Sequence, residues 1–261
     1  MPEITLGVVC LLVVAGLVAG WVDAVVGGGG LIQLPALLLV PGITPIQAVA
    51  TNKVGAIAGT TVSAATYYRR VHVDLRIALP MAFAAMLAAI GGAAIASRIP
   101  AQAFTPIILA ACLAVLAYTI ARPQVGRENA PRLAGARLVV VACGIGVVIG
   151  MYDGMLGPGT GSFLVFSIVG LLGHAFLPAS GIAKIVNLAT NTGSLIFFVP
   201  SGHVVWAAGL AVAAGNLTGG YLGARMAVKR GSGFVRVVFV VVVSVLMVRL
   251  GWQMGTELGW W

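Results

Sequence analysis

Two carboxylates and two lysines stand in surroundings that are otherwise nearly all apolar: Asp23 and Lys53, then Asp153 and Lys184. A charge held in lipid costs about 2.5 to 3.5 kcal/mol on insertion scales, so an ionisable residue in such a run marks a functional site by default. Each aspartate precedes a glycine loop, Gly27–Gly30 in the first case and Gly157-Pro-Gly-Thr-Gly161 in the second. Glycine interrupts a helix and lets backbone approach a partner closely. Backbone N–H groups at the start of the next helix carry about half a positive charge and can hold an oxyanion. A lysine further along each segment would add a full positive charge. The candidate substrate-binding residues are therefore Lys53 and Lys184, with Gly28, Gly29 and Gly30 in one loop and Gly159, Thr160 and Gly161 in the other. Thr51, Asn52, Asn187 and Asn191 join them as polar neighbours of the lysines. Asp23 and Asp153 would repel an anion, which leaves two roles for them: ion-pair partners of the lysines, or proton carriers in a coupled cycle.

The elements that must position this set read as membrane helices. Sixty per cent of the residues are hydrophobic and 8% charged, and the mean hydropathy is +1.09. A water-soluble domain cannot cover its surface with so few charges, so a polytopic all-α membrane protein is expected. Abundant glycine and alanine predict close helix packing. The three cysteines, Cys10, Cys112 and Cys143, each lie alone in an apolar run, which excludes a disulfide framework or a thiolate metal site. The short start Met1-Pro-Glu3 has no basic region, so the first apolar run is expected to be retained structure.

Apolar segments run over 4–22, 31–40, 45–67, 75–96 and 101–121, and again over 138–152, 161–173, 178–199, 205–228 and 234–250. Spans near 20 residues cross a bilayer, whereas the short segments after the glycine loops re-enter or sit inside protein. The aspartates are 130 residues apart and the lysines 131, as are His72 and His203, and Gly92 and Gly223. Constant offsets of this kind mark an internal duplication. Residues 1–122 and 138–261 form the two expected repeats, each a short or broken helical hairpin followed by three transmembrane helices. Residues 123–137 form a basic linker between them.

Charge sets the orientation. With inverted halves, one side receives Arg69, Arg70, Arg76, the linker arginines Arg122, Arg127, Arg132 and Arg137, and the cluster Arg225, Lys229, Arg230 and Arg236. That is eleven of the fifteen basic residues. A parallel repeat would split them, so two inverted-topology repeats are expected, with the linker cytoplasmic and both termini outside. Interrupted helices meeting near the midplane of inverted repeats are a common transporter plan. The net charge of +9 is accounted for by these loops and carries no expectation of nucleic-acid binding.

Counting from Pro45, Lys53 lies about 12 Å into its helix. Thr60 and Ser63 follow on the same face, as Asn187, Asn191 and Ser194 follow Lys184. Such stripes read either as walls of a hydrophilic path or as interhelical hydrogen-bonding groups. His72, His174 and His203 are expected to be solvated loop residues, and Tyr67, Tyr68, Trp206, Trp252, Trp260 and Trp261 interfacial anchors.

The first-half pattern, Ala19-Gly-x-x-Asp23 with Gly27-Gly-Gly-Gly-Leu-Ile, Pro35 and Ala50-Thr-Asn-Lys53, together with its weaker second copy, resembles the TauE/SafE sulfite exporter family of membrane permeases. The second copy departs where Ile182-Ala183 replace Thr51-Asn52; Asn187 and Asn191 would then supply the amide. The resemblance implies export of sulfite or small organosulfur anions across a prokaryotic cytoplasmic membrane. The expected function is a secondary transporter working by alternating access with proton coupling, needing no cofactor, metal or catalytic residue. The expected partners are the small oxyanion and the lipid bilayer, with a homo-oligomer left open. A passive anion channel and a cation carrier using Asp23 and Asp153 are the alternatives. No H-E-x-x-H, G-x-S-x-G or Walker A pattern supports an enzyme or an ATP-driven pump.

Overall fold

A computed structural model describes residues 4–98 and 133–257. Every regular element in it is helical: α1 Leu6–Val26, α2 Gly30–Leu38, α3 Pro45–Arg70, α4 Leu75–Ala96, α5 Gly135–Met155, α6 Thr160–Ser167, α7 Phe176–Phe198 and α8 Trp206–Glu257. A five-residue π-helical stretch, Ile168–Leu172, continues α6. The expected span 101–121 and the linker arginines Arg122, Arg127 and Arg132 lie outside the described residues. By length and composition α1, α4 and α5 are each sufficient to cross a membrane.

Local chemistry places the helix ends. Thr5 caps α1, its hydroxyl accepting from Val8 N at 3.4 Å. Thr44 and Gln47 form a reciprocal capping box ahead of α3, with Pro45 at the first helical position where its missing N–H costs nothing. Asp74 caps α4. Gly27, at φ +83°, stops α1 in the left-handed region that only glycine adopts without strain.

Where backbones touch, the contacts fix direction. Beside α1, a Cβ on Gly16 would meet the Val212 carbonyl and one on Gly20 the Asn216 carbonyl; further on, Gly219 meets the Leu17 carbonyl and Gly223 that of Trp21. Numbers rise together, so α1 runs parallel to the first arm of α8. Gly55 and Gly59 of α3 face Val212 and Asn216 in the same order. In the same way Gly146, Gly150 and Gly154 of α5 meet the carbonyls of Met81, Ala85 and Ala89, making α5 parallel to α4. Short turns reverse the chain between α3 and α4 and between α7 and α8. The helices α1, α3 and the first arm of α8 thus run one way, and α4, α5 and α7 the other. Pairings of α1 with α8 recur between α5 and α4 at offsets of 130 and 131.

The break expected between residues 228 and 234 falls at Gly231, whose non-helical φ 76° and ψ −174° part α8 into two arms. Arg69, Arg70, Arg76, Arg137, Arg225, Lys229 and Arg230 gather at the bundle end where α3 finishes and α4 starts. At that end His174 is buried rather than solvated; burial lowers its pKa, with the Asp74 carboxylate opposing. His72 is exposed, and the His203 ring nitrogen lies 2.8 Å from the Ser201 hydroxyl. Tyr68 and Trp206 are exposed at helix ends as interfacial anchors should be. Tyr67 is not: it is fully buried and its hydroxyl donates to Ala24 O at 2.9 Å, tying α3 to α1. Among the described residues Cys10 and Cys143 are free thiols.

Candidate functional site

Each lysine finds its partner in the other half of the chain. Lys53 Nζ lies 2.8 Å from Asp153 Oδ1 and also donates to the Asp153 carbonyl at 2.5 Å. Lys184 Nζ lies 2.7 Å from Asp23 Oδ2 and donates to the Asp23 carbonyl. The two contacts are counterparts: an ammonium bridging the side chain and the carbonyl of one aspartate, near the end of a helix whose last carbonyls carry partial negative charge. Lys53 is eight residues beyond Pro45 and Lys184 eight beyond Phe176, each about 12 Å along its helix. Since α3 and α7 run in opposite directions, the pairs lie towards opposite ends of the bundle.

Burial separates the two pairs. Lys53 and Asp153 are 1% and 2% exposed, whereas Asp23 retains 15% beside a Lys184 at 1%. The first pair is sealed in low dielectric, and the second keeps an edge open.

Between them the glycine loops cross. Gly27 O accepts from Ser162 N at 3.1 Å, the Ser162 hydroxyl donates to Val26 O at 2.8 Å, and Gly30 packs on Pro158. A side chain at Gly27 would start 2.2 Å from the Gly161 carbonyl carbon, so this crossing demands glycine. At Gly157, φ is +88° and a Cβ would lie 2.8 Å from Lys53 Nζ, which places that loop against the ammonium. Each aspartate also accepts from the loop that follows it, through a backbone N–H in one case and a hydroxyl in the other. Gly29 N donates to Asp23 Oδ1 at 3.4 Å, and the Thr160 hydroxyl donates to Asp153 Oδ1 at 2.7 Å.

The remaining expected residues divide. Asn52 is 2% exposed and its Oδ1 has no partner among the described residues. Thr51 is buried too, but its hydroxyl accepts from Val205 N at 3.0 Å, anchoring the chain ahead of α8. Asn191 is tied to Asn187: its Nδ2 donates to Asn187 O at 2.8 Å and to Asn187 Oδ1 at 3.2 Å. Gly28 sits in the first loop, its carbonyl accepting from Leu31 N at 3.1 Å. Thr60, Ser63 and Ser194 donate to carbonyls three or four residues earlier in their own helices, which uses the hydroxyl hydrogen and leaves the oxygen able to accept.

One residue escaped the sequence reading. Gln33 of α2 is 1% exposed and its Oε1 is unpartnered. It reaches α3 at Gly55, one turn from Asn52. A polar residue inside a nine-residue apolar helix was the available signal. An unmet buried acceptor costs about 1–3 kcal/mol, and each of these two carbonyl oxygens can accept from an O–H such as that of a protonated oxyanion. The second copy places Phe163 and Ala183 at the equivalent positions, so its polar lining is thinner. Among the described residues no cluster of three or more His, Cys, Asp or Glu side chains could hold a metal.

A family model described as "Sulfite exporter TauE/SafE" matches residues 12–250. The chain is 33% identical over 250 residues to a probable membrane transporter protein, ORF9, of Sinorhizobium sp., covering 96% of this chain and 95% of that one. It is 31% identical to the probable membrane transporter protein YfcA of Escherichia coli K12, over 92% and 88% of the two chains. A probable membrane transporter protein of Haemophilus influenzae Rd is 31% identical over 97% and 98%. No solved structure matches the chain.

Proposed function

We propose that this chain, which belongs to the TauE/SafE sulfite exporter family, moves sulfite or a related small organosulfur anion by exchanging it for its own carboxylates. The coarser statement stands on the family and its relatives: the protein is an integral membrane transporter and not an enzyme. The single observation that carries the finer reading is the crossed pairing of Lys53 with Asp153 and of Lys184 with Asp23. In each, a carboxylate rests at the place where a helix start and an ammonium would hold an oxyanion.

The exchange follows from charge. A buried ammonium cannot be left without a counter-charge, and a buried carboxylate cannot either. When an oxyanion takes the lysine, the displaced aspartate must bind a proton or reach water. Protonation of the aspartate frees the lysine, so proton and anion enter together, and the occupied site is neutral when the anion carries a single charge, as hydrogen sulfite does. The 15% exposure of Asp23 supports the Lys184 site as the one in contact with solution in this conformation, with the Lys53 site closed. Alternating access then opens the Lys53 site as the Lys184 site seals.

Two inverted repeats supply the two states. Their support is the opposed direction of α1 and α5, and of α3 and α7, with matching backbone contacts at offsets of 130 and 131. The basic end of the bundle is the cytoplasmic one by the positive-inside rule, in the inner membrane of a prokaryote.

Purified protein in liposomes loaded with sulfite tests the reading. Saturable counterflow of labelled sulfite, accelerated by an imposed pH gradient, is expected, and Asp23→Asn should remove the acceleration. Flux that rises linearly with concentration without counterflow identifies a channel. An unchanged pH-gradient effect in Asp23→Asn removes Asp23 from the cycle.

A further inference from the structure

We propose that the basic cavity between the ends of α3 and the first arm of α8 holds the headgroup of an anionic phospholipid. The cavity has a volume of about 490 Å³ and is lined by Thr66, Arg69, Arg70, Tyr221, Arg225 and Lys229 among others. Four of these side chains are cationic, and among the described residues no carboxylate lines the space. Among the described residues both ion pairs lie elsewhere, at Asp153 and Asp23. Four like charges around one hollow repel each other, and the repulsion is relieved by an anion sitting among them. The cavity's one aromatic, Tyr221, accepts a long hydrogen bond of 3.5 Å from Arg225 Nη1, which leaves the other donors of that guanidinium unspent.

The surroundings choose a lipid over a free anion. On α8 the exposed residues Leu210, Leu217 and Tyr221 descend one face in steps of seven and four to Arg225. On α3 the exposed Ala65 lies one turn before Arg69 on the same face, with the exposed Tyr68 beside it. These faces meet acyl chains in a bilayer, so a chain lying along them arrives with its phosphate in the cavity. Basic pockets between transmembrane helices on the cytoplasmic side are the geometry that takes anionic headgroups. Arginine forks fit phosphate oxygens two at a time, and the lysine adds a point charge.

The position ties the lipid to the transport machinery without placing it in the pathway. Tyr67, next to Thr66, holds Ala24 of α1, and Gly223, between Tyr221 and Arg225, packs on the Trp21 carbonyl. Both contacts flank Asp23. A headgroup bridging α3 and α8 therefore braces the walls of the Asp23–Lys184 site.

The test is lipid retention rather than flux. Native mass spectrometry of the purified protein in mixed micelles measures binding of phosphatidylglycerol against phosphatidylcholine. The triple variant Arg69→Gln/Arg225→Gln/Lys229→Gln alters exposed side chains, and its melting temperature checks that it folds. Each cation near an anionic lipid contributes about 1 kcal/mol, about fivefold in affinity, so the triple variant should lose phosphatidylglycerol on the order of a hundredfold. Arg76→Gln, at the same end of the bundle but outside the cavity, should bind as the wild type does. Glycerol phosphate and inorganic phosphate are the soluble arm. Displacement of the lipid by either at equal concentration makes the cavity a soluble-anion site and overturns the proposal. Equal phosphatidylglycerol binding by the triple variant and wild type, or an equal loss in Arg76→Gln, overturns it too.

Discussion

The sealed pair offers the sharpest prediction. In Lys53→Met the ammonium disappears while Asp153, 2% exposed, keeps only the Thr160 hydroxyl at 2.7 Å; its Oδ2 has no partner in any case. Removing one member of a buried pair costs about 3–5 kcal/mol because the other charge is left uncompensated. At about 1.4 kcal/mol per tenfold, the folded-to-unfolded ratio should fall by a factor of roughly 100 to several thousand. Removing both charges reverses most of that, since a buried pair replaced by apolar groups is often neutral. Lys53→Met/Asp153→Leu should therefore be more stable than Lys53→Met alone, giving a coupling of about 3 kcal/mol. Reversible unfolding in mixed micelles, titrated with denaturing detergent, measures the four corners of the cycle. The matching cycle at Lys184 and Asp23 should give a smaller coupling, because Asp23 at 15% exposure can turn to water. Additive effects at Lys53 and Asp153 would refute the reasoning, as would a larger coupling at the more open pair.

Two further predictions follow from the packing. Gln33→Leu removes an unmet buried acceptor, so stability should hold or rise by up to about 1–3 kcal/mol while the apparent affinity for sulfite in counterflow falls; a large loss of stability with unchanged affinity assigns Gln33 to the scaffold. Gly150→Ala places a Cβ 2.3 Å from the Ala85 carbonyl and should cost about 1–3 kcal/mol, whereas Gly144→Ala enters open space and should gain up to about 1 kcal/mol in helix propensity; thermal unfolding of both variants reads the contrast.

Much of the arrangement was legible because lipid makes charge conspicuous. Asp23, Lys53, Asp153 and Lys184 stand out in apolar runs, and Pro45 alone sets the depth of Lys53. The partnering was hidden. Sequence spacing relates Lys53 to its copy Lys184, but only the opposed helix directions show that each lysine crosses to the other half's aspartate. Thr60 and Ser63 show how little spacing fixes: a hydroxyl in a helix can bond its own preceding turn, and helical spacing does not reveal that choice. Tyr67 and His174 misled, since position at a helix end or in a loop says nothing of what packs over it. Thr51 proved a backbone anchor for the start of α8, while Gln33 went unnoticed because the α3 residue it reaches, Gly55, lies on a different helix.

The central claim, that each lysine holds substrate and aspartate in turn, is tested most directly by sulfite counterflow in liposomes carrying Lys53→Met/Asp153→Leu or Lys184→Met/Asp23→Leu, where neither variant leaves a charge stranded. The account predicts folded protein with counterflow abolished in both. Wild-type counterflow in either variant would contradict it.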